Sequence, residues 1–202
     1  MNARERWNHN SHYHDWLMRQ LPDRFERGLD VGCGQGSFAA RLAAVADRVD
    51  ALDANADVAA DAARLHASAG VAFQCGDFLA MELPSDSYDV VTSIAALHHM
   101  DFERALGEMK RILRPGGRLA VLGLYRTASP TDYAAALAAI PANLVRTHVV
   151  ARLRGGVGRV MAPTRDPAMS LAEIRRSAAA VLPGARVARR LYWRYSLLWR
   201  KD

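Results

Sequence analysis

The stretch "GLDVGCGQGSF", Gly28 to Phe38, decides how the rest of the chain folds. An apolar run that reads as a buried strand meets Gly32, Gly34 and Gly36, and the chain then enters a helical pattern through Phe38, Leu42 and Val45. Glycine tolerates the left-handed backbone of a tight turn and lets backbone N–H groups approach a ligand with no Cβ in the way. Glycines between strand and helix therefore point to a ligand at the strand's carboxyl end. Their spacing, Gly32-x-Gly34-x-Gly36, departs from the dinucleotide fingerprint, which has two residues between its second and third glycines.

Working outward, "RVDALD" reads as a second strand, and the alanine-rich run from Val58 to Ala69 as a helix that ends at Gly70. "VAFQC" and "YDVVTSIA" are the third and fourth strands. A helix from about Phe102 to Leu113 stops at "RPGG", and "RLAVLGLY" makes the fifth strand. Strands alternate with helices, and each strand is a short apolar run suited to burial on both faces. This predicts an α/β fold with a doubly wound, mostly parallel sheet. Upstream, Tyr13, Trp16, Leu17 and Leu21 recur at helical spacing before Pro22, so residues 1–22 form an N-terminal cap helix and its approach. After Tyr125 the alternation fails. Residues 125–170 read as an insertion of the kind that becomes a lid or binding segment. Ser170 with Glu173 then makes a capping box for a helix to Leu182. "ARVARRLYW" and "YSLLWR" are too close for a crossover and must form an antiparallel hairpin.

Composition sets bounds. A chain of 202 residues, 50% hydrophobic, fits one domain with a substantial core. It has no uninterrupted apolar run of membrane-spanning length, and "MNARERWNHN" lacks the apolar stretch of a signal peptide, so the expected location is the cytoplasm. The two cysteines, Cys33 and Cys75, make a poor disulfide framework and agree with a reducing compartment. The net charge is +6, carried mainly by arginines scattered through alanine-rich stretches, a pattern of a solvated surface more than of a nucleic-acid groove.

Asp53 closes the second strand, where a carboxylate can accept hydrogen bonds from both hydroxyls of a ribose. Nucleotide folds of several cofactor classes share this acid. The third strand ends in Cys75-Gly76-Asp77-Phe78, an acceptor beside an aromatic, suited to an adenine amino group and its base.

Together, "LDVGCGQG", "ALDAN", "CGDF", "YDVVTSIAALHHM", "LRPGG" and the closing hairpin resemble the class I S-adenosylmethionine-dependent methyltransferases. The resemblance runs in order from Gly28 to about Leu124 and resumes in the final strands. It implies a seven-stranded sheet with the last strand antiparallel beside the fifth, and S-adenosyl-L-methionine as cofactor. It also implies roles: Asp30, Gly32, Gly34 and Gly36 at the methionine part, Asp53 at the ribose, Asp77 and Phe78 at the adenine, and the Ser93 backbone at the methionyl ammonium. Ala54 is smaller than the apolar residue many members carry after the ribose acid. The Asp/Asn-Pro-Pro-aromatic motif of amino-directed base and amide methyltransferases is absent after the fourth strand. Ser93-Ile94-Ala95-Ala96-Leu97-His98-His99 stands there instead, similar to methyltransferases acting on oxygen, nitrogen or carbon of small molecules.

Methyl transfer is an in-line displacement that depends mostly on holding the reactants in place; a base matters when the acceptor carries a proton. His99, with His98 beside it, is the candidate base. The cap helix of many relatives folds over the cofactor, which makes Tyr13 and His14 candidates for touching the methionine end or the acceptor. Arg165, with Arg146, Arg152, Arg154 and Arg159, could clamp a carboxylate or phosphate. His12 and His14 share no helical face, and no metal site is expected. The expected partner is a small-molecule acceptor, aromatic or carboxylated. Trp193, Tyr195 and Trp199 could support a homodimer, although core packing explains them equally. An oxidoreductase using a nicotinamide cofactor and an RNA methyltransferase stand as alternatives. The glycine spacing and the "CGDF" corner weigh against the first, and the lack of an aromatic platform for single-stranded RNA against the second.

Overall fold

In the computed structural model, which describes residues 9–128 and 166–202, helix α1 (His14–Met18) leads into strand β1 (Phe25–Val31). There follow α2 (Ser37–Leu42), β2 (Ala46–Asp53), α3 (Ala56–Leu65), β3 (Val71–Cys75) and β4 (Tyr88–Ile94). The chain continues through α4 (Phe102–Ile112), β5 (Leu113–Leu124), α5 (Leu171–Val181), β6 (Arg186–Arg190) and β7 (Arg194–Arg200). The strands form one sheet in the order β3-β2-β1-β4-β5-β7-β6. Neighbours from β3 to β5 are parallel, and β7 runs antiparallel to both β5 and β6. This is the doubly wound sheet that the alternation of strands and helices predicts, with the inserted last strand that the resemblance implies.

Local chemistry sets the helix starts. Asn55 accepts from the Asp57 and Val58 amides and begins α3 at Ala56, ahead of the predicted Val58. Asp101 caps α4, and the Ser170–Glu173 capping box opens α5 as read. The "RPGG" turn differs from expectation. Helix α4 ends there, but Leu113 to Gly117 is already part of β5, looped out as a bulge while Tyr88 pairs with Leu113 and Val90 with Arg118. Pro115 has no amide to give the ladder, and Gly116 at φ +80° supplies the reversed backbone that the bulge needs.

Two apolar layers flank the sheet. On one face Leu29, Val31, Val91, Leu119, Val121 and Leu197 meet α4 and α5; on the other Val49, Ala51, Val90, Ala120 and Leu122 meet α1 and α2. Near the amino ends of the strands several charges are paired within the fold. Arg27 donates to Asp50 from Nε and Nη2 at 3.1 and 2.7 Å, and the Tyr88 hydroxyl donates to the same carboxylate at 2.9 Å. Arg114 bridges Asp89 and Glu26.

Arg126 forms a bridge with Ser170, and its amide donates to the Met169 carbonyl at 2.8 Å, so the two described ends of the predicted insertion lie side by side. Arg146, Arg152, Arg154, Arg159 and Arg165 lie outside the described residues. Of the aromatics read as a dimer surface, Tyr195 is buried and the Trp199 indole donates to the Pro183 carbonyl; Trp193 is exposed. The edge strand beside them is β6, whose arginines discourage edge-to-edge pairing. Among the described residues no helix is long and apolar enough to cross a membrane.

Candidate active site

The sheet order places β1 between β2 and β4, so consecutive crossovers leave on opposite sides and a crevice opens above the carboxyl end of β1. The glycine loop fills the base of that crevice. Gly32, Gly34 and Gly36 all have left-handed backbones, with φ of +70°, +54° and +75°. A Cβ at Gly32 would meet Ala96 at 2.2 Å and one at Gly36 would meet Phe73 at 2.6 Å, whereas one at Gly34 would meet nothing within 4 Å. Gly32 and Gly36 are therefore required by packing as well as by backbone. Gly34 faces open space, a cradle that a side chain would fill.

Asp53 stands over this cradle. Its two carboxylate oxygens accept from the Gly34 amide at 2.9 Å and the Asn55 amide at 3.0 Å, which fixes the side chain and leaves a lone pair on each oxygen for a hydroxyl. The Gly32 and Cys33 amides both donate to the Leu52 carbonyl, pinning the loop to the end of β2. Asp30 lies beneath, 2% exposed, accepting from the Thr92 hydroxyl at 2.8 Å. Burial pushes its carboxyl up to about 6, against the opposing effects of the Thr92 bond and the nearby His14. A cation arriving beside Asp30 would restore its charge. Burial also raises the Cys33 thiol, so this residue is an inert part of the loop.

On the β4 side, the Ser93 hydroxyl donates to the Val31 carbonyl at 2.9 Å and ties β4 to β1 at the root of the loop. The chain then turns sharply at Ala95, whose φ is +55° and whose amide donates to the Leu122 carbonyl at 2.7 Å. A 3₁₀ turn over Leu97–His99 follows, bringing the His98 and His99 rings to 4.0 Å between centroids with His99 exposed. At the end of β3, Asp77 is exposed and accepts from the Leu79 amide at 2.9 Å. Phe78 is 2% exposed and belongs to the core with Val91 and Leu97, so its ring is not presented to a base.

The cap helix is split in its loyalties. His14 is buried, its ring centroid 5.0 Å from that of Phe38 at the start of α2, and it lies near Asp30. Tyr13 is turned the other way: it is 7% exposed and its hydroxyl donates to the Leu191 carbonyl in the β6–β7 turn at 3.2 Å. Thus Asp30, Gly32, Gly34, Gly36, Asp53, Ser93 and His14 come together, His98 and His99 border them, and Tyr13 and the Phe78 ring serve the core. Sequence reasoning passes over Thr92, the buried partner of Asp30. Its signal is a hydroxyl one strand over and in register with an acid, since Asp30 pairs with Thr92 across β1 and β4. Among the described residues no group of three His, Cys, Asp or Glu side chains is arranged to hold a metal ion.

Residues 29–121 match the methyltransferase domain family. An uncharacterized methyltransferase of Mycobacterium tuberculosis is 36% identical over 96% of both chains. A 27-O-demethylrifamycin SV methyltransferase of Amycolatopsis mediterranei is 35% identical over 57% of this chain and 45% of its own. A SAM-dependent methyltransferase from Aquifex aeolicus shares the fold, with a TM-score of 0.63 and 15% identity over 94% of this chain and 89% of that one. The glycine cradle, the acid that closes β2, the strand order and a relative alike along nearly its whole length lead to one conclusion: the chain belongs to the methyltransferase family.

Proposed function

We propose that this methyltransferase uses S-adenosyl-L-methionine to methylate an oxygen, nitrogen or carbon atom of a small, aromatic or carboxylated metabolite in the cytoplasm. The observation that carries the reading is the open cradle at Gly34, overhung by an Asp53 carboxylate whose orientation is fixed by two amides. When bound, S-adenosylmethionine would supply a methyl carbon on a sulfonium, to which the acceptor atom would bond in line as the carbon–sulfur bond breaks and S-adenosylhomocysteine leaves. The chain's own residues hold the geometry: Asp53 takes the ribose hydroxyls, Asp30 and the Ser93 backbone face the methionyl end, and Asp77 with the Phe78 backbone borders the adenine. His99, with His98 against it, removes a proton from the acceptor where one must leave. The relative named for 27-O-demethylrifamycin SV supports a small-molecule acceptor.

Calorimetric titration with S-adenosylmethionine, S-adenosylhomocysteine and NADH tests the reading. Micromolar binding of the first two and none of NADH is expected. Binding of NADH alone would replace methyl transfer with hydride transfer. Changing both His98 and His99 to Gln should slow turnover about a hundredfold with cofactor affinity unchanged. Undiminished turnover would remove the pair from the chemistry.

A further inference from the structure

We propose that Arg190 and Arg194, facing each other across the β6–β7 hairpin, form the recognition site for an oxyanion, a carboxylate or phosphate, on the methyl acceptor. The two residues are directly paired in the antiparallel register. Cross-strand partners share a face, and like charges directly opposite destabilise a hairpin. Here, among the described residues, no acid lies within salt-bridge distance of either guanidinium.

Their partners are instead neutral. Arg194 donates to the Asn10 side-chain oxygen at 2.9 and 2.6 Å and to the Tyr192 carbonyl at 2.7 Å. Arg190 donates from Nε to the Ser196 hydroxyl at 2.9 Å and lays its guanidinium over the Trp16 ring, 4.0 Å from the centroid. These contacts orient both planes without neutralising them, and they leave N–H groups on each, in the fork geometry that carboxylates and phosphates accept. Burial lowers the Arg194 guanidinium to about 10, the expected response of a cation held away from water without a counter-charge.

The position suits an acceptor. Arg194 opens β7 opposite Leu124, at the carboxyl end of β5, and lies on the sheet face that also carries Asp30 and Thr92. The N-terminal segment spans the two regions, with His14 near Asp30 and Asn10 on Arg194. The backbone between the arginines is held in an unfavourable form, with Tyr192 at φ +62° and Trp193 at φ +56°. Bulky residues tolerate that conformation poorly, and the turn keeps the Tyr192 carbonyl on Arg194.

The assignment of the anion to the methyl acceptor rests on the function proposed above, and the test separates the two. Protein saturated with S-adenosylhomocysteine is titrated with benzoate, phenyl phosphate and neutral benzamide, in the wild type, in Arg190→Gln and Arg194→Lys, and in the surface control Arg64→Gln. Either anion should bind, with the stronger one identifying the group, while benzamide does not. Arg190→Gln and Arg194→Lys should each weaken the anion about tenfold or more, and Arg64→Gln should not. Should Arg194→Lys fail to fold, Arg190→Gln, on the strand's open edge, decides alone. The proposal is overturned if neither anion saturates below about 100 mM, if benzamide binds as well, or if the arginine variants bind as the wild type does. Failure of S-adenosylhomocysteine to bind at the outset would count against the cofactor alone; the anion titration is then read on the free protein.

Discussion

The two ends of the sheet treat charge in opposite ways. At the amino end Arg27, Asp50 and Tyr88 form a closed set, and Arg114 is shared by Asp89 and Glu26. At the carboxyl end Asp30 is buried on a threonine, Asp53 is held by amides, and Arg190 and Arg194 rest on neutral oxygens. Charges satisfied within the fold contribute to its stability and have little left for a ligand. Charges fixed in place but not neutralised cost stability and are ready to receive one.

Cutting the paired end should give the largest effect. Arg27→Met would leave the Asp50 carboxylate, 9% exposed, without its counter-charge, and should lower unfolding free energy by about 3–5 kcal/mol with cofactor affinity nearly unchanged. Urea denaturation beside a cofactor titration checks both halves, and a loss of affinity without a loss of stability would erase the contrast between the ends.

Asp30→Asn should do the reverse. In the folded state the carboxyl titrates at about 6 against an ordinary 3.8, so the native protein holds the proton more tightly than the unfolded chain. This group's contribution is therefore most favourable below about pH 4 and is lost as pH rises through 6, by about 3 kcal/mol in all. The asparagine variant should be more stable than the wild type at pH 7.5, comparable at pH 4, and weaker in binding S-adenosylmethionine. A variant less stable at pH 7.5 would mean that Asp30 is satisfied in the fold after all.

Asp53→Ala should weaken cofactor binding ten- to a hundredfold, roughly the contribution of one or two charge-assisted hydrogen bonds, with little change in melting temperature. Unchanged affinity would sink its ribose role. The smallest effect should separate glycines within one loop. Gly34→Ala has room for its Cβ and should cost about 1 kcal/mol of stability through its φ of +54°, yet weaken the cofactor about tenfold. Gly36→Ala meets Phe73 and should unfold much more readily than Gly34→Ala. Equal behaviour of the two would deny Gly34 its special outlook.

The central strands are legible in the sequence because parallel strands such as β4 are apolar on both faces, and the edge strand "VAFQC" is read to its boundaries although Ala72 and Gln74 are exposed. The bulge at "RPGG" is not, because proline and glycine mark a turn equally well when no partner strand is known. In the site, positions fixed by the backbone are easier to read from sequence than the directions of side chains. A glycine or the acid closing a strand is constrained locally, while the direction of the Tyr13 and Phe78 rings depends on which layer has room for them. Arg190 and Arg194 are invisible among the many scattered arginines until the hairpin register sets them opposite each other. The available hint is the short "RLYWR" turn.

The insertion of β7 between β5 and β6 bears on the order of assembly. Leu119 and Val121 of β5 wait for Trp199 and Leu197, far downstream, before their outer edge is covered. Until then the nascent sheet presents an apolar strand with unpaired amides, the kind of edge that recruits other chains. Closing it requires long-range pairing, the slow class of folding event. Growth temperature and chaperone supply should accordingly govern the yield of this enzyme more than the equilibrium stability of its finished fold.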